Sequence, residues 1–317
     1  MGQRPADAGL SLPACLVYLV HGAPSYYQEA AYSLLSLWRQ SGGPALRIVI
    51  VTDDPQPMRG LLGDTPQLEF LVFSAQQRRE WTGADGYIHR MKPSAFAWAL
   101  QQLASEGDGE AIFAFVDSDT SFMRSPDVWL NAVADGAVVL HAQEGTVAGN
   151  RGHSRSQRRL ADGLASQHLS IRGQNRWVSG DSVMWNSGVI GLRASQRDIL
   201  TETIDLIDSL YPLITIHTVE QVALSLVLQD RAQRVITCDD TVLHYHTFKE
   251  FRGDLARFFR QYPGASQDEL MQACPLIDPA QRIVPKRTFN DSPKWQRKLK
   301  KYLGLGWKPL PLPWPEP

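Results

Sequence analysis

Two aspartates one residue apart, Asp117 and Asp119, follow directly on the apolar run Ala111-Ile112-Phe113-Ala114-Phe115-Val116. The run has the length and composition of a buried strand, so the carboxylates fall where that strand meets solvent. Ligands of open α/β sheets bind at the carboxyl ends of strands. Two neighbouring carboxylates repel each other unless a cation lies between them or they share a proton. A hard divalent ion takes carboxylate oxygens and completes its shell with water and substrate phosphates. Asp117-Ser118-Asp119 therefore suggests a metal–diphosphate site; the plain alternative is a strand ending in an Asp-Ser-Asp turn.

Three further groups could serve such a site. Asn186-Ser187-Gly188 puts small polar residues inside the otherwise apolar stretch Trp185–Leu192. Buried polar atoms cost stability unless they meet partners, and a strand glycine permits close approach of a ligand or a second backbone. A simple bulge would explain the same residues. Glu220-Gln221 opens an apolar helix, where an acidic residue also suits the helix dipole. In His244-Tyr245-His246-Thr247-Phe248-Lys249 the two histidines would share one face of a strand. Neutral imidazole supplies a metal ligand, and Lys249 follows within reach of a phosphate.

The surrounding pattern says which elements must position these groups. Strand signals at Cys15–Val20, Leu46–Val51 and Leu68–Phe73 alternate with helical spacing at Tyr26–Arg39 and Pro93–Leu103, which reads as a doubly wound parallel sheet. The second strand ends in Thr52-Asp53-Asp54-Pro55. Beyond Asp119 the pattern predicts a helix from Pro126, strands at Ala137–Leu140 and Val183–Leu192, and a helix from Ser195, its N-cap, to about Leu210. A helix at Thr218–Leu228, strands at Val235–Thr237 and Val242–His244, and helices at Phe248–Tyr262 and Ser266–Ala273 complete the series. Residues 145–180 carry Arg151, Arg155, Arg158, Arg159, Arg172 and Arg176 with weak periodicity, as expected of a basic insert that forms a lid or binding loop.

With 317 residues the chain is long enough for one large α/β domain, expected at 13–285, after a disordered leader at 1–12. A net charge of −1 gives no reason to expect a nucleic-acid partner. Cys15, Cys238 and Cys274 show no metal or redox spacing and cannot all pair, which fits a reducing, cytoplasmic setting. The start has no signal-peptide pattern, and no apolar run is long enough to span a bilayer. The tail 286–317 mixes cations with Trp295, Tyr302 and Trp307, a composition that suits the anionic inner face of a membrane; a tail folded onto the domain is the alternative.

The ordered set resembles nucleotide-sugar glycosyltransferases of the GT-A fold, most of all the retaining group that includes glycogenin and bacterial lipooligosaccharide galactosyltransferases. The matching pieces are the helix led by Tyr26, the basic Arg90-Met91-Lys92, Asp117-Ser118-Asp119, Asn186-Ser187-Gly188-Val189, Glu220-Gln221, and His244 followed by Lys249. The resemblance covers roughly residues 14–250. It departs from the family in having Glu before the Gln, and in a shorter His-to-Lys segment without glycine or Pro-Trp. It implies a Rossmann-like mixed sheet flanked by helices and a donor site with Tyr26, Asp53, Ser118, Ser187 and Gly188 in its lining. Asp117 would contact ribose and metal. Asp119 and His244, with His246 as rival, would complete a Mn²⁺ or Mg²⁺ site. Lys249, with Lys92 or Arg90, would hold the diphosphate, while Asn186, Glu220 and Gln221 would serve the donor sugar. The implied activity moves a sugar from a nucleotide diphosphate, UDP being the expected one, to a glycan or lipid-linked acceptor with retention.

Three other classes compete. A nucleotide-sugar-binding protein on the same fold would bind without turnover. A phosphatase of the haloacid-dehalogenase type also uses Asp-x-Asp, but on a first strand and with Thr or Val two residues on; here Thr120 is adjacent and several strands precede. A sugar nucleotidyltransferase wants a glycine-rich basic loop after the first strand, which His21-Gly22-Ala23-Pro24 is not.

Overall fold

The computed structural model describes residues 13–41, 46–104, 109–164, 168–171, 174–177, 179–232 and 234–314, and of 168–171 and 174–177 the backbone only. The expected leader, Arg172, the Arg176 side chain and residues 315–317 lie outside that set.

β1 (Ala14–Val20) is apolar throughout and packs on both faces: Cys15 and Val17 enter one core, Leu16, Tyr18 and Val20 the other. A strand covered on both sides belongs inside a sheet. β2 (Arg47–Thr52), then β3 (Leu68–Val72), extend the sheet in parallel on one side of it, and β4 (Ile112–Val116) on the other. β5 (Thr120–Phe122) leaves this sheet immediately after the aspartates. β6 (Val138–Thr146), the hairpin β7 (His168–Ile171) and β8 (Gln174–Trp177), β9 (Val183–Arg193), β10 (Val235–Thr237) and β11 (Val242–His244) follow. The main sheet has seven strands in the order β10-β6-β9-β4-β1-β2-β3. β9 runs antiparallel to both neighbours, so the sheet is mixed, as the resemblance implied, rather than wholly parallel, as the alternation suggested.

α1 (Pro24–Ser41), α2 (Gln56–Leu62), α3 (Ala75–Thr82) and α4 (Met91–Leu103) fill the crossovers between β1 and β4. α2 and α3 escape an apolar-period search because α2 buries only Met58 and Leu62, and α3 only Trp81; a capping box between Ser74 and Gln77 starts α3. α5 (Asp127–Ala134), α6 (Val147–Asn150) and α7 (Arg155–Leu164) precede β9. Within the basic insert, the described residues form helices and a hairpin: α7 buries Leu160, Ala161 and Leu164 and leaves Arg155, Arg158 and Arg159 exposed.

α8 (Asp198–Ile214) and α9 (Val219–Arg231) cover one sheet face. Ser195 does not cap α8, because a 3-10 turn at Ala194–Gln196 comes first and the Ser195 amide donates to Gly109 O. α10 (Phe251–Gln261) begins three residues later than expected, since Tyr245 to Glu250 are spent on turns. α11 (Gln267–Ala273), α12 (Pro279–Arg282), α13 (Val284–Asp291) and α14 (Lys294–Tyr302) end the series. α14 buries no residue, whereas Trp307, Leu312 and Trp314 return to pack on the core. Among the described residues, no helix is long and apolar enough to cross a membrane.

Candidate active site

The aspartates stand where β4 ends and β5 departs. The Asp117 amide donates to Gly188 O at 2.9 Å, extending the β4–β9 ladder by one residue. A buried chain of hydroxyls then fixes the turn. Tyr18 Oη lies 3.1 Å from Ser33 Oγ, Ser33 Oγ 2.7 Å from Thr120 Oγ1, and Thr120 Oγ1 donates to Asp117 O at 2.8 Å. Ser36 of α1 accepts the Phe122 amide at 2.9 Å. Both serines sit in the middle of α1 and serve the neighbouring turn, Ser36 while also donating to Ser33 O of its own helix at 2.6 Å.

β5 pairs antiparallel with β11, setting His244 opposite Thr120, and the Tyr245 amide donates to Asp119 O at 3.0 Å. One ligand atom each from Asp117, Asp119 and His244 lies within 4.8 Å of the others. His244 Nε2 is 3.1 Å from Asp119 Oδ1 and 3.7 Å from Asp117 Oδ2. His246 does not share the strand face, because β11 ends at His244; its ring lies beside that of His244, centroids 4.6 Å apart.

Asn186 orients the ring of His244. Its Oδ1 accepts the Gly188 amide at 2.9 Å and its Nδ2 donates to Glu144 Oε1 at 2.8 Å, so the amide cannot be reversed without losing both bonds. The same Oδ1 faces His244 Nδ1 at 2.9 Å. With Nδ1 held by Asn186, Nε2 is the ring nitrogen turned toward the two aspartates, and it is the atom a metal would take. Gly188 makes room for the ring: a Cβ there would come within 2.3 Å of His244 Nδ1.

Cations flank the carboxylates. Lys92 Nζ donates to Asp117 Oδ2 at 2.8 Å and to Ser187 O and Oγ at 3.2 and 3.1 Å, and lies 4.0 Å from Glu220 Oε2. Burial opposes its charge, but Asp117 and Glu220 outweigh burial and hold the lysine above its ordinary pKa. Glu220 is buried, which pushes its carboxyl up against the pull of Lys92. One of its oxygens accepts from Ser187 Oγ at 2.9 Å and the other has no protein partner. Lys249 Nζ donates to Asp119 Oδ2 at 2.7 Å. Burial of Asp119 favours its neutral form, yet His244 and Lys249 overcome that and keep the carboxyl well below the usual range. Burial, reinforced by His244, lowers the pKa of His246.

These groups line one cleft of about 680 Å³. Tyr26, Lys92, Asp117, Ser118, Asp119, Asn186, Ser187, Glu220, Gln221, His244, His246 and Lys249 all border it, with Gly188 beneath His244. Arg90 does not. Its guanidinium bonds Asp208 at 2.6 and 2.8 Å and the carbonyls of Glu80 and Trp81, in a separate pocket beside Trp81 and Trp98. With its donors committed there, Lys92 alone represents the basic pair in the cleft. Asp53 accepts from Tyr27 Oη at 2.7 Å at the end of β2 and is not part of the lining.

The cleft also contains residues that no sequence pattern announced: Glu29, His89, Glu144, His217 and Arg252. Arg252 clasps the buried Glu29 at 2.9 and 3.1 Å and lies 4.8 Å from the centre of the Tyr26 ring. Burial raises the Glu29 carboxyl, against the pull of Arg252. Asp117, Asp119 and His244, with Lys92, Lys249 and Arg252 in the same cleft, can hold a divalent cation and a polyanion bound to it.

No family model matches the sequence, and no curated protein matches it. Among solved structures, the fold is similar to mouse xyloside xylosyltransferase 1 in its apo form, at 14% identity and a TM-score of 0.43, over 72% of this chain and 85% of that one. It is also similar to the galactosyltransferase LgtC in complex with donor and acceptor sugar analogues, at 9% identity and a TM-score of 0.45, over 71% and 73% of the two chains. The mannosyltransferase Ktr4p of S. cerevisiae is similar at 8% identity and a TM-score of 0.41, over 68% and 66%.

Proposed function

We propose that this protein is a metal-dependent glycosyltransferase that takes a sugar from a nucleotide diphosphate, with UDP as the expected nucleotide. The observation that carries the reading is the convergence of Asp117, Asp119 and His244, with Lys92 and Lys249 bonded to the same two carboxylates. The donor set suits Mn²⁺ or Mg²⁺: hard oxygens, one imidazole, and a second residue that orients the imidazole.

Asp117, Asp119 and His244 would hold the ion, which when bound supplies positive charge against the departing diphosphate. Breaking the bond at the anomeric carbon also builds charge within reach of Lys92 and Lys249, and cations aimed there favour the transition state over the ground state. Both lysines would then exchange a carboxylate partner for a phosphate. Tyr26 offers a ring face to the base, and Gln221 and Asn186 border the space left for the sugar. Retention, and a glycan or lipid-linked acceptor, follow from the resemblance. Trp295, Leu299 and Tyr302 of α14 are 65%, 50% and 89% exposed among Lys294, Lys298, Lys300 and Lys301, which supports a peripheral place on an anionic cytoplasmic membrane face.

Calorimetric titration of UDP with Mn²⁺, and again with EDTA, tests the donor reading. Metal-dependent binding that disappears in Asp119→Ala is expected. Failure of UDP, CDP, GDP and dTDP alike to bind with metal would sink it. Binding by every donor without transfer to any acceptor would favour the non-catalytic binding protein.

A further inference from the structure

The loop that bears Lys249 is held from behind. Lys286, in α13, donates through Nζ to Thr247 O at 2.6 Å and to Glu250 Oε2 at 2.7 Å. The same ammonium lies 5.7 Å from the centre of the Phe248 ring and 5.6 Å from that of Trp307, and its side chain is only 18% exposed. Phe248 is buried, stacked on Phe251 and covered by Trp307 at 6.2 Å. A cation between two aromatic faces with both hydrogen-bond partners on one loop has little freedom.

Trp307 is fixed in turn by the C-terminal residues after it. Arg282, itself buried and paired with Asp254 at 2.5 Å, donates to Leu310 O at 2.5 Å and to Pro311 O at 3.3 Å. Trp314 packs against Phe258 and Tyr262 of the α10 region. A buried arginine satisfied by two carbonyls of a proline-rich segment pins the path of that segment. The C-terminal residues thus form a strap whose inner side touches Lys286 and Phe248.

The other side of the same loop faces the cleft. Tyr245 N bonds Asp119 O at 3.0 Å, and Lys249 reaches Asp119 Oδ2 although its side chain is 51% exposed. An exposed lysine has many rotamers, so the position of its backbone decides whether its ammonium meets a phosphate in the cleft. The geometry points to Lys286 as a positioning residue: clamped beneath Trp307, it holds residues 245–250 so that Lys249 reaches the donor phosphates. This inference rests on the reading of the cleft as a nucleotide-sugar donor site.

The test compares wild type, Lys286→Met, Lys249→Ala and their double variant. Methionine keeps an apolar stem between the rings and removes the donors to Thr247 and Glu250. Lys286→Met should weaken UDP binding in Mn²⁺ roughly tenfold, shift the melting temperature little, and speed hydrogen exchange at residues 246–250. The double variant should bind UDP no more weakly than Lys249→Ala, because both changes remove one contact. Wild-type affinity in Lys286→Met, or losses that multiply in the double variant, overturn the proposal. If Lys286→Met does not fold, Trp307→Leu, which keeps an apolar cover but no ring face, should give the same pattern, with Trp307→Phe restoring affinity. A wild type that takes no nucleotide with metal overturns the donor reading instead. Exchange at 246–250 then still decides whether the clamp exists: faster in Lys286→Met upholds it, and unchanged rejects it.

Discussion

Gly188 has no side chain, and His244 occupies the space one would fill. Alanine there would place a methyl 2.3 Å from Nδ1, so the ring must swing off the line to Asp119. Gly188→Ala should lower Mn²⁺ affinity by roughly 10- to 100-fold, the usual effect of disturbing a ligand's support. Mn²⁺ titration followed by electron paramagnetic resonance measures it; unchanged affinity removes His244 from the metal site. At this scale the sequence was informative wherever chemistry and adjacency coincide, as in Asp117-Ser118-Asp119 and His244 to Lys249. It was silent on Glu144 and Arg252, which become site residues only through Asn186 and Glu29, partners 42 and 223 positions away. It left Lys92 and Arg90 as alternatives, because two basic residues so close together give no sign of which one turns into the cleft.

Strands and helices carry the site through a few polar contacts made across them. Ser33 links Tyr18 on β1 to Thr120 on β5, all buried. Ser33→Ala leaves two buried hydroxyls short of a partner and should cost about 1–3 kcal/mol, read from chemical denaturation. Donor affinity should fall with it, since the Asp117 turn loses its tie to α1; a full cost in stability with wild-type affinity would detach α1 from the site. The strands with continuous apolar runs were readable because they are buried on both faces. β5 was not, since three residues carry no period, and yet it brings His244 to the aspartates. The direction of β9 was equally hidden: a fully buried strand shows the same apolar run whichever way its chain travels.

Across the whole molecule, the three cysteines are buried and unpaired, and burial raises the Cys15 thiol to about 12 and the Cys274 thiol to about 11. Below pH 9 both folded and unfolded chains hold these thiols neutral, and no stability is gained or lost. Above pH 9 the unfolded chain ionises first, so stability should fall as pH rises from 9 toward 11, by about 1.4 kcal/mol per pH unit per thiol. Buried Tyr18 adds to this loss above pH 10. Denaturation curves between pH 8 and 11 measure it, and a flat profile would contradict the burial. The tail divides where composition alone showed one basic segment: α14 stays exposed while 307–314 packs back. Deleting residues 286–314 should therefore damage donor binding, whereas replacing Trp295, Leu299 and Tyr302 with Ser should abolish only binding to anionic vesicles. Equal loss of both functions from the triple variant would refute that separation.

Lys92 and Lys249 already neutralise the two aspartates within the chain itself. They act as place-keepers, holding each carboxylate at its post within the folded chain. On the metal-site reading proposed above, completion of the fold would not wait on metal supply, and chains without an ion would stand idle but intact. Stripping with EDTA should accordingly move the melting temperature by no more than about 2 °C, and adding Mn²⁺ should raise it only by the amount that mass action at the measured affinity demands.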